Sequence, residues 1–398
     1  MAISALSVLV VEDHGFQRRM ALRLLAELGI DRLHEAADGA RALALLRELA
    51  QPPDVVMVDL DMPGMDGIEF IDHLAREHLA RSILVVSALD AALLHTVQTM
   101  ARACGLRVLD AVPKPLTKAK LYKALDSLRQ TKADEEPPDP GEIHLDQVQT
   151  ALSNGQIVPW FQPQVELSNG RVIGVEALAR WRRSDGRVVL PHYFVPVLAG
   201  ARLLDQLTER MLAQACRWKR EWDRAGLRLK LSVNVSASTL DDVGAADRYQ
   251  RIVREAGVDP GEIVLELTES SLMADPARGL AVLARLRLKG FGLSIDDFGT
   301  GWSSLSQLSQ VPFTELKIDQ EFVAGATAQP RKRAVVEASL DLARKLGLDA
   351  VAEGVETVED WQMLAELGCA IAQGRLIGDA VPGEELPAML GRWRRPEY

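Results

Sequence analysis

Two adjacent acids, Asp296 and Asp297, follow an apolar run in the segment SIDDFGTGWSSL at residues 294–305. Neighbouring carboxylates repel each other, and burying them is costly unless a cation or hydrogen bonds compensate their charge. By itself the segment leaves two interpretations open. The acids are either part of a metal site or part of a strand-to-helix turn in which Asp297 caps the helix.

A second set of such residues lies in the N-terminal third, where further apolar runs end. The runs LSVLVVE, DVVMVDL and SILVVSA are typical of buried parallel strands, and FQRRMALRLLAEL has helical spacing. The polar residues that close or follow these strands are Glu12, Asp13, Asp59, Ser87 and Lys114. The carboxyl ends of parallel strands share one crevice, where this set suits Mg2+ and a phosphoryl group accepted by an Asp. Helix caps and a surface lysine explain any one of these residues, but not their convergence.

The C-terminal two thirds repeats this pattern on a larger scale. Short apolar strands alternate with helical segments, and each strand carries a polar residue near its C-terminal end. In chain order these residues are Gln162, Glu176, Asn234, Glu266, Asp296, Lys317, Glu353 and Gln373. Eight such strand ends predict a closed barrel with its active site on that rim. Asp296 and Asp297 then belong to an acidic ring, whereas isolated helix caps would not fall in register.

The ligand types in this ring narrow its chemistry. Carboxylate and amide oxygens suit Mg2+ or Mn2+ better than zinc or copper. No histidine follows His192, which excludes a histidine base, a Ser-His-Asp triad and a histidine-ligated metal from most of this region. Hydrolysis there would use a water activated by metal, a carboxylate base and a lysine. Two cations sharing a carboxylate would stabilise the attacking and leaving oxygens of a phosphoryl displacement.

Composition and charge limit the class of protein. A chain of 398 residues with net charge −10 should hold two or three domains and should not bind nucleic acid or anionic membranes non-specifically. No DNA-binding helix-turn-helix or zinc spacing is visible, so we expect no direct DNA binding. Cys104, Cys216 and Cys369 are too far apart for a metal knuckle and are interpreted as reduced thiols. No apolar stretch is long enough to span a bilayer, so we expect a cytoplasmic protein without membrane contact.

One segment predicts the domain boundary. TKADEEPPDPGE, at residues 131–142, is acidic, rich in proline and without apolar periodicity, as expected of a solvated linker. We predict an N-terminal domain at 1–130, a linker at 131–143 and a C-terminal domain at 144–398. The fold class is α/β: a doubly wound (βα)5 domain followed by a (β/α)8 TIM-like barrel.

The N-terminal motifs resemble a known family. VVEDH, VDLDMPGMDG, VVSA and PKP, in this order over residues 4–130, resemble the receiver domain of two-component response regulators. The resemblance implies that Asp59 accepts phosphate from a sensor histidine kinase, that Glu12 and Asp13 help to bind one Mg2+, and that Ser87 and Lys114 contact the phosphoryl group. Ala111 stands three residues before the lysine, where an aromatic commonly reports phosphorylation. Without that aromatic, we expect phosphorylation to affect the barrel through altered packing of the receiver or altered dimer geometry.

The C-terminal motifs resemble the EAL family of cyclic-di-GMP phosphodiesterases from about residue 145 onward. The matching stretches are FQPQV, EALARW, NVS, ELTES, DDFGTGWSSL, LKID, EGVE and AQG. The resemblance implies hydrolysis of cyclic-di-GMP to linear pGpG with two Mg2+ or Mn2+ ions.

The same resemblance implies a role for individual residues. Glu353 would be the base, Lys317 would orient the water, and Asp296 would be shared between the cations. The metal ligands would be Glu176, Asn234, Glu266, Asp296, Asp297 and Glu353. The substrate contacts would be Gln162, Leu178, Arg180, Glu356 and Gln373. Glu269 would support the DDFGTGWSSL loop, which shapes the metal site and the dimer face of a homo-oligomer.

Four positions depart from the family pattern: Ala199, Trp302, Arg375 and Ala380. None removes a metal ligand. Two other functions remain open, a catalytically silent cyclic-di-GMP receptor and a signalling interaction protein. The complete set of acids, with Lys317 and Glu269, argues against the silent receptor.

Overall fold

The computed structural model describes residues 3–49, 51–77, 79–80, 82–87, 97, 100–101, 106–133, 143–268, 276–299 and 311–396. Contacts between residues divide the chain into two compact units, Met1–Glu136 and Pro137–Tyr398. Most of the predicted linker lies outside the described residues, so the boundaries at 130 and 144 stay a prediction. Among the described helices, none combines the length and the apolar character needed to cross a bilayer.

The N-terminal unit is built on a five-stranded parallel sheet in the order β2-β1-β3-β4-β5. Its strands are β1 (Ser7–Val11), β2 (Arg32–Ala36), β3 (Val55–Asp59), β4 (Ser82–Ser87) and β5 (Arg107–Pro113). Its helices are α1 (Gly15–Glu27), α2 (Gly39–Glu48), α3 (Gly67–Arg76) and α4 (Lys118–Ala133), and the segment between β4 and β5 lies largely outside the described residues. The doubly wound α/β prediction is confirmed.

Burial on both faces of the sheet explains the continuous apolar runs. Leu9 and Val11 of β1 belong to one core cluster, and Val8 and Val10 belong to another on the opposite face. A strand covered on both faces has no solvent side on which to place polar residues. Its polar residues are therefore confined to its ends.

Gly67 fixes how closely α3 approaches the end of β3. A Cβ atom at this position would lie 2.4 Å from the carbonyl oxygen of Asp59, which is too close for any side chain. The helix starts there because the side chain of Asp66 accepts a hydrogen bond from the backbone nitrogen of Glu69 at 2.8 Å. Helix α3 thus packs directly against the strand end that carries Asp59.

The C-terminal unit is a closed barrel of eight strands in the order β6-β14-β13-β12-β11-β10-β9-β7, with β7 returning to β6. The barrel strands are β6 (Ile157–Glu166), β7 (Val172–Arg182), β9 (Lys230–Asn234), β10 (Ile263–Thr268), β11 (Gly292–Phe298), β12 (Glu315–Ile318), β13 (Asp349–Ala352) and β14 (Ile371–Gln373). Two short strands, β8 (Val188–Val189) and β15 (Val381–Pro382), pair outside the closed ring. The predicted TIM-like barrel is confirmed.

Helices connect and cover these strands. They are α5 (Leu145–Ser153), α6 (Pro191–Gly200), α7 (Leu204–Arg224), α8 (Ala245–Glu255), α9 (Pro276–Leu288), α10 (Gln320–Val323), α11 (Pro330–Leu346), α12 (Val358–Glu366) and α13 (Leu386–Arg392). Short 3-10 turns lie at Ile3–Ala5, Ala237–Asp241, Pro260–Glu262 and Ala326–Ala328. One core cluster runs between the barrel and this helical layer, with Phe161, Tyr249 and Trp361 among its fully buried members.

The direction of β6 differs from that of the other barrel strands. It pairs antiparallel with both β7 and β14, whereas the other neighbours in the ring are parallel. The expectation that Gln162 lies near the C-terminal end of its strand was therefore wrong. Gln162 lies within β6, opposite Glu176 of β7, and reaches the same region because its strand enters the barrel from the active-site end.

Candidate active site

A buried lysine lies at the centre of the predicted acidic ring. Lys317 of β12 has a side chain that is 1% exposed, and its Nζ lies 2.6 Å from Glu353 Oε1. The same nitrogen is 3.1 Å from Glu176 Oε2, 3.1 Å from Glu266 Oε2 and 3.3 Å from Asp296 Oδ1. Carboxylates from β7, β10 and β11 and from the residue after β13 thus surround one cation, and Glu176 lies within β7, not near its C-terminal end as predicted.

Two amide side chains complete the ring and orient Glu176. Asn234 Nδ2 donates to Glu176 Oε1 at 2.8 Å and to Glu266 Oε2 at 3.3 Å. Gln373 Nε2 donates to Glu176 Oε2 at 2.6 Å and to Gln162 Oε1 at 3.0 Å. The structure therefore brings together all eight polar residues that the sequence placed on the barrel rim.

The adjacent acids of the DDFG segment reach the same site because the strand is irregular. Neighbouring residues of a regular strand point to opposite faces. The pairing of β11 with β12 shifts register between Ile295 and Phe298, and Asp297 has φ of 54°, in the left-handed region. As a result, Asp296, Asp297 and Glu353 offer carboxylate oxygens that all lie within 4.8 Å of one another.

The negative charge of this cluster exceeds what the described side chains compensate. Lys317 is shared by four carboxylates, and Asp297 adds a fifth acid beside them. Among the described residues, buried Glu266 Oε1 has no hydrogen-bond partner, and buried Asp296 Oδ1 has an ion-pair contact with Lys317 at 3.3 Å but no hydrogen bond. Buried, partly unsatisfied carboxylate oxygens are the donors that Mg2+ and Mn2+ prefer. The residues present therefore fit divalent cations.

The burial of these acids shifts their protonation. Burial raises the pKa of Glu353 to about 8, with Lys317 opposing the shift and nearby acids adding to it. Burial and the charge of Asp296 raise the pKa of Asp297 to about 7. Burial also opposes the charged form of Glu176, but Lys317 and the amide donors outweigh it and keep that pKa below its ordinary value. The cluster holds protons that a bound cation would displace.

The predicted substrate contacts form two groups around this centre. Gln162 Nε2 donates to the carbonyl of Gly378 at 3.2 Å, and its oxygen accepts from Gln373. On β7, Leu178 and Arg180 follow Glu176 at intervals of two residues and share its face of the strand. Glu356 lies exposed and forms an ion pair of 2.6 Å with Arg375, one of the positions that departs from the family pattern.

Two residues that sequence reasoning missed also belong to the site. Gln164 Nε2 donates to Gln373 Oε1 at 3.0 Å, and its spacing of two from Gln162 was the available signal. Asp319 caps α10 through Glu321 N, and its charge contributes to the raised pKa of Asp297. The LKID segment is typical of a strand followed by a helix cap, so nothing in the sequence indicated that Asp319 also affects the pKa of Asp297.

Some sequence-based predictions lie outside the described residues. Glu269, Trp302 and most of the loop that follows Asp297 are among them. Ala199 lies on α6 and Ala380 directly precedes β15. Nothing in the structure explains either of these two departures.

A smaller acidic site ends the strands of the N-terminal sheet. Lys114 Nζ lies 2.5 Å from Asp59 Oδ2 and 2.9 Å from Glu12 Oε2. Glu12, Asp13 and Asp59 offer oxygens within 4.8 Å of one another, an arrangement that fits one Mg2+. Ser87, fully buried at the end of β4, accepts a hydrogen bond on its carbonyl from Lys114 N at 3.0 Å. The five predicted residues meet at one edge of the sheet.

The pKa shifts at this smaller site have the same origin. Burial raises the pKa of Glu12, with Lys114 opposing the shift and Asp59 adding to it. Burial disfavours the charged form of Lys114, but its bonds to the two acids outweigh burial and raise its pKa. The side chain of Ala111 lies outside the described residues, so its effect on signalling stays a prediction.

Two protein-family models match the chain. One, described as an EAL domain, matches residues 145–380, and the other, a response regulator receiver domain, matches residues 8–126. The curated protein "Cyclic di-GMP phosphodiesterase RocR" of Pseudomonas aeruginosa is 35% identical over 385 residues, which are 95% of this chain and 96% of that protein.

Other relatives match a smaller share of the chain. "Bifunctional diguanylate cyclase/cyclic di-GMP phosphodiesterase MucR" of Pseudomonas aeruginosa is 39% identical over 245 residues, which are 61% of this chain and 36% of that protein. A solved structure, "PaMucR Phosphodiesterase, c-di-GMP complex", is 39% identical, with a TM-score of 0.58, and the match covers 61% of this chain and 98% of that one.

Proposed function

Because the chain belongs to the EAL-domain family and carries a response regulator receiver domain, we propose that it hydrolyses cyclic-di-GMP to linear pGpG under the control of receiver phosphorylation. The relative that matches nearly the whole chain is named a cyclic di-GMP phosphodiesterase. The solved barrel with 39% identity is a complex with c-di-GMP. Both support the same substrate class for this barrel.

The observation that carries the proposal is the buried ring of acids around Lys317. The proposed ligands of two Mg2+ or Mn2+ ions are Glu176, Asn234, Glu266, Asp296, Asp297 and Glu353. When bound, these cations would stabilise negative charge on phosphoryl oxygens and acidify a water molecule. Asp296 is the proposed shared ligand, since its carboxylate lies near both Lys317 and the oxygens of Glu353 and Asp297.

Glu353 is the proposed general base. Its carboxylate stands at the edge of the ring, 2.6 Å from Lys317 Nζ, and is less buried than Glu266. Lys317 donates to Glu353 and so fixes the direction from which that carboxylate accepts a proton. The charge of bound cations would further favour the ionised form of Glu353 and lower its raised pKa toward the range in which a base works.

The substrate contacts we propose are Gln162, Leu178, Arg180, Glu356 and Gln373. Arg180 offers a guanidinium to a phosphate of the dinucleotide, where paired N–H donors match two phosphate oxygens. Gln162 and Gln373 are joined by a hydrogen bond and therefore move as one unit. Gln373 holds Gln162 in place, and Gln162, whose amide nitrogen donates one described hydrogen bond, would use its second N–H to orient the substrate over Glu176.

The receiver site is the proposed control point. Asp59 would accept a phosphoryl group from a sensor histidine kinase, with one Mg2+ held by Glu12, Asp13 and Asp59. Phosphorylation adds roughly two negative charges beside Lys114, which already lies within ion-pair distance of Asp59. We also propose a cytoplasmic homo-oligomer, a dimer or larger, through which this change reaches the barrel.

The test is turnover by the full-length protein. Cyclic-di-GMP is incubated with the protein and Mg2+ or Mn2+, or with a chelator, and the nucleotides are separated by chromatography. We expect pGpG to accumulate only with the divalent cation. Binding without turnover under every condition would instead favour the silent receptor, and neither binding nor turnover would overturn the proposed substrate.

A further inference from the structure

Trp160 lies beside the site, and its position follows from the pairing of β6 and β7. It lies two residues before Gln162 on β6, so the two side chains share a face of that strand. Across the pair, Gln162 stands opposite Glu176, and Trp160 stands opposite Leu178. Trp160 is therefore about 7 Å farther along the strand from the acidic ring than Gln162, toward the mouth of the barrel.

The indole of Trp160 has an unused hydrogen-bond donor. Its Nε1 is buried, and no described residue accepts a hydrogen bond from it. A buried indole N–H normally finds an acceptor, because leaving the donor unpaired costs free energy. Trp361 has a similarly unpaired Nε1, but that residue is fully buried in the core, whereas Trp160 is partly exposed.

A second observation at the same place points to a ligand. The guanidinium carbon of Arg180 lies 5.9 Å from the centroid of the Trp160 ring, which is a cation–π contact. Among the described residues, the Arg180 guanidinium donates a hydrogen bond to a single carbonyl, that of Ala179 at 2.9 Å. A guanidinium has five N–H donors, so most of them are available to a bound molecule.

We propose that Trp160 forms the purine-binding edge of the barrel mouth: its indole N–H donates to an acceptor of the bound nucleotide, and its ring holds Arg180 within reach of that nucleotide. The inference rests on the proposed function, because it places a phosphate of the dinucleotide at the acidic ring. The base attached through the neighbouring sugar then lies outward along the strands, beside Trp160 and Leu178. Aromatic and guanidinium planes are the surfaces on which nucleobases stack.

This assignment makes Trp160 a specificity residue with no part in the chemical step. It contacts the substrate away from the reacting phosphate, so it contributes equally to the ground state and the transition state. Loss of such a contact weakens binding and leaves the rate of the bound complex nearly unchanged. A role in packing alone would instead lower the melting temperature without a selective effect on affinity.

The test compares Trp160→Phe, which keeps an aromatic ring but loses the donor, with Trp160→Leu, which loses both. Affinity for cyclic-di-GMP is measured by titration calorimetry on the full-length protein with Ca2+ in place of Mg2+ to suppress turnover. We expect Kd to rise about tenfold in W160F, the size of one lost hydrogen bond, and further in W160L. With Mg2+, kcat/KM should fall in W160F by about the same factor by which Kd rises.

The matched control is Trp393→Phe. That indole donates to Gly170 O at 2.8 Å, beyond the end of β6 that lies away from the mouth, and its loss should leave Kd unchanged. A second measurement does not depend on variant folding. In the wild type labelled with 15N, one indole N–H resonance should move downfield on saturation with cyclic-di-GMP.

The outcomes separate this inference from the function on which it rests. W160F with wild-type Kd, or no shift of any indole resonance on binding, overturns the role of Trp160 alone. A wild type that binds but never hydrolyses cyclic-di-GMP overturns the proposed activity, while the Kd of W160F still decides the role of Trp160. A wild type that does not bind cyclic-di-GMP overturns both.

Discussion

The two acidic sites of this chain are built from the same residue types but differ in depth and charge. In the receiver, Lys114 contacts two carboxylates, its side chain is 17% exposed, and Asp13 lies in solvent. In the barrel, Lys317 is 1% exposed and is shared by four carboxylates. Both sites collect polar residues from several strands, but the barrel buries more acids around its one lysine than the receiver does.

The difference indicates what each site is suited to do. A shallow site with three acids and one lysine is close to neutral once a single Mg2+ binds, so it can exchange its ion and admit a phosphodonor. A deep site with several uncompensated acids requires cations to be stable in its charged form. Such a site holds its ions and a reacting phosphate away from bulk water, where electrostatic stabilisation is strongest.

The largest effect is expected from removing one carboxylate of the deep site. Glu176→Ala deletes an acid that lies against Lys317, Asn234 and Gln373, and the candidate ligand cluster of the described residues includes no histidine or cysteine. We expect hydrolysis of cyclic-di-GMP to fall by about a thousandfold or more, since several kcal/mol of charge stabilisation are lost. The rate is measured from pGpG formation, and circular dichroism checks that the fold is intact.

The matched control is Glu366→Ala, the same substitution at an exposed position of α12, which should keep the wild-type rate. Turnover retained in E176A would remove Glu176 from the ligand set. The barrel site would then have one fewer metal ligand than the comparison between the two sites assumes.

A smaller effect is expected from neutralising the proposed base. Glu353→Gln keeps the shape of the side chain but cannot accept a proton, so kcat should fall by roughly a hundredfold or more. Substrate affinity should change less, because the amide retains its contact with Lys317. Glu359→Gln, at an exposed position of α12, is the control. A kcat in E353Q within a few-fold of wild type would assign the base to another residue.

The protons held by the deep site predict how cation binding depends on pH. The pKa values of Glu353, about 8, and Asp297, about 7, lie above their ordinary values. Without cations, the stability contributed by these groups is therefore lost as pH rises toward 8. Cation binding needs the ionised acids, so its affinity should rise by roughly tenfold or more between about pH 6 and about pH 8.

The measurement is the increase in melting temperature on adding Mn2+ across this pH range. E353Q has one proton fewer to release and should show a flatter dependence. A stabilisation by Mn2+ that is constant with pH, or that declines toward pH 8, would contradict the assigned protonation of the deep site.

The smallest effect on hydrolysis is expected at the shallow site. Asp13→Asn removes an exposed ligand oxygen, so the Mg2+ concentration needed for phosphorylation of Asp59 should rise by about tenfold. Basal hydrolysis should remain within about twofold of wild type, because the barrel acids are untouched. Phosphorylation is followed by intact-protein mass spectrometry. A large loss of basal hydrolysis in D13N would show that the two sites are not separate in function.

The sequence predicted the membership of both sites better than their geometry. Strand ends in α/β folds converge, so the residues that follow apolar runs, such as Asp59 and Glu266, could be placed from the chain alone. The direction of β6 was not predictable, because apolar alternation is the same in a strand read either way. The bulge at Asp297 was equally hidden, since it depends on the register between β11 and β12.

Other features depend on contacts between residues far apart in the chain. Asp319 has the local pattern of a helix cap, and its effect on Asp297 arises only once β11 and β12 are neighbours. The ion pair between Glu356 and Arg375 joins two loops at the barrel rim. Such pairs follow from tertiary packing, which the local spacing of residues does not encode.

The receiver site is proposed to control a barrel site that carries out hydrolysis. The most direct test of this proposal is the rate of cyclic-di-GMP hydrolysis with Mg2+, measured with and without a small-molecule phosphodonor such as acetyl phosphate. The wild type should form pGpG, and its rate should change when the phosphodonor is added. Asp59→Asn should form pGpG at the basal wild-type rate and should not respond to the phosphodonor, because the shallow site has lost its acceptor while the deep site is intact. A D59N protein that still responds, or a wild type that forms no pGpG under either condition, would contradict the account.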